Sequence, residues 1–209
     1  MEPQPHLPPA PGRLYRFAWG LYLFLALAGI LWLGTQRGVI PLSLFIDPRR
    51  WWLDLALGAG AGLLLLALWW GAERIFPLAK ELEAKLAGVL GPLTLSEAVG
   101  LALLSGFAEE LFFRGAVQGT VGWVAATFLF AVLHSGPGRA FRLWTLFALL
   151  AGALFGGVMA WRGNLLGPVV GHFLVNAVNL RRLASRFGNS ARLPEGQARE
   201  GRGGLGDGK

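Results

Sequence analysis

The sequence contains no cysteine and few charged residues, and both shortages narrow the classes of protein that it can encode. Without cysteine there can be no disulfide framework and no cysteine-based metal site. Charged residues make up 15% of the 209 residues, well below the share of about 25% in an average soluble protein. The mean hydropathy is +0.51, and the chain has nine tryptophans. This balance is typical of a protein that lies in a membrane.

The charges that are present are mostly basic, which gives a formal net charge of +7. Much of this charge lies in predicted loops and in the C-terminal tail. Such a distribution suits contact with anionic lipid headgroups. The sequence has no soluble basic domain with interleaved aromatic residues, so we expect no nucleic-acid partner. We therefore predict that the protein is surrounded by membrane lipid.

The length fits a single domain, and the apolar runs divide the chain into a membrane region with two polar ends. Residues 1–12 form a proline-rich leader and residues 188–209 a basic, glycine-rich tail, and we expect both to be disordered. The transmembrane domain is predicted at 13–187. The fold class is an all-α, polytopic membrane helical bundle of about six transmembrane helices with a membrane-embedded polar cavity. The spans are predicted at 17–34, 53–71, 95–117, 121–135, 141–161 and 164–180.

The charge distribution also predicts an orientation. The first apolar run continues past a possible signal-peptidase site, so it is interpreted as an uncleaved span. Residues 76–90 form an amphipathic stretch that fits an interfacial or cytosolic helix, or equally a solvated one. With six spans, the side that holds both termini carries most of the loop arginines and lysines. The positive-inside rule therefore predicts a multi-pass protein of the cell (inner) membrane with both termini in the cytoplasm.

The third predicted span contains Glu109, Glu110 and Arg114. Each ionised group near the centre of a bilayer costs roughly 2.5 to 3.5 kcal/mol on insertion scales. Three of them within six positions must therefore pair, face water or take part in chemistry. The spacing of Glu110 and Arg114 is that of a helical ion pair, whereas Glu109 has no such partner.

Two of the three histidines also lie in membrane segments, and they converge with Glu109 in depth. The turn between spans three and four is expected near 119–122. A rise of 1.5 Å per residue then places Glu109, His134 and His172 about 12 to 20 Å from that side of the membrane. Asn176 lies one turn beyond His172 on the same helical face. These positions suit Glu109 as a general base beside His134, with His172 and Asn176 as donors to an oxyanion.

The same residues carry a family resemblance. The run from Glu109 to Arg114 matches an EExxxR motif, Phe130 to His134 matches FxxxH, and His172 to Asn176 matches HxxxN. In that order and in apolar segments, they resemble the CAAX protease and bacteriocin-processing (CPBP, also ABI) family over residues 93–180. The resemblance implies an all-helical intramembrane endopeptidase that cleaves a membrane-associated protein or peptide. It assigns water activation to Glu109 and His134 and the oxyanion to His172 and Asn176. Glu110 and Arg114 then hold the site together or orient the substrate.

Several alternatives stay open at this stage. The resemblance requires no cofactor, although the family has also been described as zinc-dependent, which would make His134, His172 and Glu109 the zinc ligands. A non-catalytic membrane binding or immunity protein could retain the same pocket. A small proton-coupled carrier could also use buried glutamate and histidine, but the sequence has no evident internal repeat. The sequence identifies neither the substrate nor the oligomeric state.

Overall fold

The computed structural model describes residues 13–90 and 93–187, so the predicted leader and tail lie outside the described residues. The described part of the chain is helical and contains no strand. The elements are α1 (Arg13–Arg37), a 3₁₀ turn (Leu42–Leu44), α2 (Trp51–Ile75), α3 (Pro77–Leu90), α4 (Leu95–Glu110), a π-helical segment (Leu111–Val117), α5 (Gln118–Leu133), α6 (Arg139–Arg162) and α7 (Leu166–Phe187).

Four helical segments of the described chain are long and apolar enough to cross a membrane. They are Tyr15–Arg37, Trp51–Ile75, Leu95–Leu133 and Arg139–Arg162. The polytopic helical bundle is therefore confirmed. The fourth predicted span, however, belongs to the same helical segment as the third, and the sixth is not among these four segments. The sixth forms α7, which is long enough at 22 residues but carries polar and basic side chains that lower its hydropathy.

The fourth predicted span is the end of a longer helical run. Residues Leu95–Leu133 form 39 residues of nearly continuous helix. A straight helix of that length would measure about 58 Å, about twice the hydrocarbon thickness of a bilayer. The run is broken at Gly122, whose φ of 83° lies in the region that favours glycine. The predicted turn therefore lies at the right place, but only 11 helical residues follow it before His134.

Local sequence signals explain where several helices begin and end. Thr94 caps α4 through a reciprocal capping box, in which its hydroxyl accepts from the Glu97 amide and the Glu97 carboxylate accepts from the Thr94 amide. Gly163 ends α6 in the left-handed conformation. Pro77 starts α3 directly after α2, at the position where proline is best tolerated.

Helix α7 lies between α2 and α4, and small residues allow it to approach both. A Cβ added at Gly58 of α2 would overlap the Gly167 backbone of α7. On the other side, a Cβ added at Gly106 of α4 would lie 3.0 Å from the Phe173 amide nitrogen of α7. Because only glycine avoids these contacts, α7 is held close to the end of α4 that carries the two glutamates.

Helix α3 packs on the bundle instead of lying free at its surface. Ala79 and Leu82 are fully buried in a cluster with Trp69 of α2 and Phe147 of α6. The predicted helix is therefore present, but its apolar face covers the bundle core. At the other side of the bundle, α1 packs on α4 and the π-helical segment and exposes the rest of its apolar surface, which suits contact with lipid.

A second polar cluster, which we name the outer cluster, joins the ends of three helices around the buried Asp54 and Asn164. It consists of Asp47, Asp54, Arg162 and Asn164. Arg162 donates through Nε to Asp54 and pairs with Asp47 at 3.2 Å, and the Asn164 amide donates to Asp54 at 2.9 Å. The sequence analysis did not predict this cluster.

Candidate active site

The predicted site residues come from four neighbouring elements. Glu109 and Glu110 form the last turn of α4, and Arg114 follows in the π-helical segment. His134 caps the end of α5, and His172 lies in the second turn of α7. The π-helical segment begins directly after the two glutamates. Single turns of π-helix are rare in proteins, and where they occur they frequently lie at functional sites.

The Glu110–Arg114 pair that the four-residue spacing predicted is present. Arg114 Nε lies 3.1 Å from Glu110 Oε2, and both side chains are almost fully buried. The guanidinium also lies 4.4 Å from the centre of the Phe130 ring, which adds a cation–π contact. The other Glu110 oxygen lies 2.7 Å from His172 Nδ1, a contact that the sequence did not predict. Glu110 thus holds both Arg114 and His172.

Glu109 lies between the two histidines. Its Oε2 atom is 3.5 Å from His134 Nε2 and 4.0 Å from His172 Nε2. Both distances exceed an ordinary N–H···O hydrogen bond, and the oxygen is buried without a hydrogen-bond partner. The expectation that Glu109 has no charged partner in its own helix holds, but folding brings it two titratable neighbours from other helices.

The orientation of each imidazole is fixed from its other nitrogen. His134 Nδ1 lies 2.8 Å from the Phe130 carbonyl oxygen, so it must carry the proton that it donates. An ionised Glu110 likewise requires a proton on His172 Nδ1. Phe155 stacks on His172 at 5.7 Å and fixes the plane of its ring. Both Nε2 atoms are therefore left facing Glu109.

Asn176 has a partner that the sequence analysis missed. Its side-chain amide donates to Ser105 Oγ at 2.8 Å. Ser105 is buried on α4, one turn before Glu109. The spacing to Glu109 was the available signal for it, because residues four apart share a helical face. The predicted pair of free donors, His172 and Asn176, is thus partly engaged, although an amide keeps a second N–H.

The site opens into a cavity of about 270 Å³ that is lined mostly by apolar side chains. Its polar lining includes Glu109, His134, His172 and Asn176. Tyr22 of α1 also lines it, together with Ser105. Tyr22 lies outside the three motifs, and a phenol inside the otherwise apolar first span was the signal that could have found it.

The described residues of the site do not form a zinc site. Among residues 13–90 and 93–187, no group of three or more histidine, cysteine, aspartate or glutamate side chains could hold a metal ion. In the zinc-dependent alternative the ligands are His134, His172 and Glu109. Both histidines face one oxygen of Glu109, but the three side chains do not form such a group.

Part of the chain also matches a known protein family. Residues 91–178 match the family described as type II CAAX prenyl endopeptidase, Rce1-like. The chain is 29% identical over 159 residues to the uncharacterized protein YpbD of Bacillus subtilis (strain 168), which covers 73% of this chain and 79% of YpbD. No solved structure matches the chain. The range that matches the family contains all six predicted site residues.

Proposed function

We propose, from the match of residues 91–178 to the Rce1-like type II CAAX prenyl endopeptidase family, that the chain is an intramembrane protease of this (CPBP) family and that it uses a glutamate mechanism. In this mechanism Glu109 and His134 activate a water molecule that hydrolyses a peptide bond of a membrane-associated protein or peptide. The observation that carries the proposal is the position of Glu109 Oε2, which is buried, has no hydrogen-bond partner and faces Nε2 of both histidines.

The distances in the site suit a bridging water. Polar atoms 3.5 to 4.0 Å apart are too far for a good direct bond, but a water molecule can bond to both. Because Nδ1 of His134 donates to the Phe130 carbonyl, its Nε2 presents a lone pair or a second proton to that water. Glu109 then removes a proton as the water oxygen attacks the scissile carbonyl carbon.

Charge balance supports the presence of one shared proton. Glu109 and Glu110 carry two negative charges and Arg114 one positive charge, so neutral histidines leave the cluster with one net negative charge. A net charge at bilayer depth is costly. One proton distributed over Glu109, His134 and His172 makes the cluster neutral. With that proton on His172, the ring donates through Nδ1 to Glu110 and presents Nε2–H to the substrate.

The oxyanion is then stabilised by groups that are already in place. The His172 Nε2–H and the free N–H of the Asn176 amide can donate to the carbonyl oxygen as it becomes negative. When the tetrahedral intermediate breaks its C–N bond, the proton taken by Glu109 passes to the leaving amine, directly or through His134. Glu110 and Arg114 hold His172 in orientation throughout.

Cleavage of quenched fluorogenic peptides by the full chain in lipid nanodiscs tests the proposal. Glu109→Gln keeps the shape of the side chain but removes the base, so we expect kcat to fall by roughly 10²- to 10⁴-fold. Glu81→Gln is the matched control, because Glu81 is an exposed carboxylate of α3. Wild-type turnover by Glu109→Gln would overturn the proposal. Peptide binding without cleavage by the wild type would favour the non-catalytic binding protein.

The location in the cell is part of the same proposal. We place the protein in the cell (inner) membrane with both termini in the cytoplasm, because the loop arginines and lysines are concentrated on that side. Fusions of alkaline phosphatase and of green fluorescent protein to Lys209 report the orientation. We expect the fluorescent fusion to be active and the phosphatase fusion to be inactive. The opposite pattern would reverse the orientation.

A further inference from the structure

Tyr22 reaches the candidate site from a helix that the family match does not include. It belongs to α1, whereas the match begins at residue 91. Its side chain lines the cavity together with Ser105, Glu109 and Asn176. The site therefore contains a polar group that none of its sequence motifs specifies.

Close contacts hold α1 beside the site. A Cβ added at Gly29 would lie 3.2 Å from the Phe112 Cα atom, so the two backbones approach closely. Leu33 is fully buried against Leu111 and Leu165. One turn later the Gln36 amide donates to the Ala116 carbonyl oxygen at 3.1 Å. These contacts fasten α1 to the π-helical segment that follows Glu109 and Glu110, and thereby fix where Tyr22 enters the cavity.

The Glu109 carboxylate needs a hydrogen-bond donor, and neither histidine can supply one from its Nδ1 atom. Nδ1 of His134 faces the Phe130 carbonyl oxygen, and Nδ1 of His172 faces Glu110. A phenolic O–H donates well to a carboxylate and stays protonated at neutral pH. Tyr22 can therefore hold one carboxylate oxygen while Oε2 stays directed at the two Nε2 atoms.

Tyr22 shares the cavity with the other side of the site as well. The Asn176 amide donates to Ser105 Oγ at 2.8 Å, and Ser105 lines the same cavity as Tyr22 and Glu109. Polar groups of α1, α4 and α7 thus line one cavity, which contains both the proposed base and one of the proposed oxyanion donors.

We propose that Tyr22 is a positioning residue of the active site, which orients the Glu109 carboxylate toward the histidines and couples it to Ser105 and Asn176. The inference rests on the proposed function, because it assigns to Tyr22 a role that acts through Glu109. It extends the site beyond the matched segment to α1.

Substitution of the two tyrosines of the chain provides a matched test. Tyr22→Phe removes only the hydroxyl, whereas Tyr15→Phe makes the same change two turns earlier on the same helix, where the ring packs edge-on against Trp19. With a peptide that the wild type cleaves, we expect Tyr22→Phe to lower kcat by roughly ten- to a hundredfold. KM and the melting temperature should change little, and Tyr15→Phe should behave as the wild type.

A spectroscopic measurement gives a result that does not depend on cleavage. Labelling with ¹³Cζ-tyrosine produces two signals, because the chain has two tyrosines, and the two phenylalanine variants assign them. We expect Glu109→Gln to shift the Tyr22 signal and to leave the Tyr15 signal in place.

The possible outcomes separate the two proposals. A wild-type protein that cleaves no peptide removes the proposed function, and the role of Tyr22 falls with it even if its signal shifts. With an active wild type, unchanged kcat in Tyr22→Phe, an equal loss in Tyr15→Phe, or a Tyr22 signal that ignores Glu109→Gln would each overturn the positioning role and leave the glutamate mechanism standing. A kcat loss confined to Tyr22→Phe, together with the shifted signal, supports it.

Discussion

The protein has two clusters of charged residues around buried carboxylates, and they differ in how completely their buried polar atoms are bonded. In the outer cluster, Asp54 accepts from both Arg162 and Asn164, and none of these three side chains has a buried atom without a partner. In the candidate site, Glu109 Oε2 and both Arg114 Nη atoms are buried without hydrogen-bond partners, and Glu110 Oε2 has only its ion pair with Arg114 Nε. Both clusters contain an arginine and two carboxylates, so composition does not account for the difference.

The difference in bonding indicates the role of each cluster. Buried polar groups that are fully bonded fix the ends of the helices that carry them, which is a structural role. Buried groups left without partners are costly, and they are usually kept where a ligand, a water or a substrate completes their bonding. The outer cluster is therefore interpreted as a structural clamp, and the site cluster as the reactive part of the molecule.

The largest expected effects come from breaking the arginine pair of each cluster. Removing one partner of a buried pair costs roughly 3 to 5 kcal/mol, so Arg114→Ala should lower the free energy of unfolding substantially. Arg162→Ala should also lower it, because Asp54 is fully buried and would lose its arginine partner. We expect the remaining folded Arg162→Ala protein to keep wild-type kcat and the folded Arg114→Ala protein to lose it. Thermal unfolding and active-site-normalised cleavage rates measure the two effects. Equal kcat losses in both variants would remove the distinction between the clusters.

Glycines near each cluster give smaller effects of the same kind. Gly58→Ala would overlap Gly167 near the outer cluster, and overpacking costs roughly 1 to 3 kcal/mol. Gly106→Ala would push α7 away from α4 at the site, so we expect it to lower kcat as well as stability. The melting temperature and kcat of each variant test this.

Each glycine has a matched control on its own helix. A Cβ at Gly60 meets no atom within 4 Å, and one at Gly100 meets ordinary contacts at 3.8 Å. Both Gly→Ala controls should be neutral or slightly stabilising, by up to about 1 kcal/mol, because alanine favours helix. Controls as damaging as Gly58→Ala and Gly106→Ala would show that the close helix approaches are not the cause.

The smallest expected effect is that of metal removal. If Glu109 and His134 activate water themselves, EDTA or phenanthroline should leave kcat within about twofold of its untreated value, with less than one metal per chain by elemental analysis. Stoichiometric zinc, with activity lost on its removal and restored on its return, would instead make His134 and His172 ligands.

The sequence predicted the parts of the site that depend on local spacing. Glu110 and Arg114 are four residues apart, and the break at Gly122 follows from glycine in a turn. The convergence of His134 and His172 with Glu109 followed from depth and from the family motifs. These predictions needed only helical geometry and the thickness of a bilayer.

The contacts that the sequence missed join residues that are far apart in the chain. Asp54 and Arg162 are separated by 108 positions, and Ser105 and Asn176 by 71. Such contacts depend on which helix faces pack together, and the glycines that decide this packing have no polar signature. The π-helical segment was also missed, because the local spacing of residues Leu111–Val117 does not distinguish a π-helix from an α-helix.

The most direct test of the central claim compares Glu109→Gln with Asp54→Asn in one set of assays. Both substitutions replace a buried carboxylate by an amide of nearly the same shape. We predict that Glu109→Gln loses cleavage activity by roughly 10²- to 10⁴-fold with a nearly unchanged melting temperature. Asp54→Asn should lower the melting temperature and keep wild-type kcat in the folded fraction. The reverse pattern, or the same losses in both variants, would contradict the assignment of reactivity to one cluster and stability to the other.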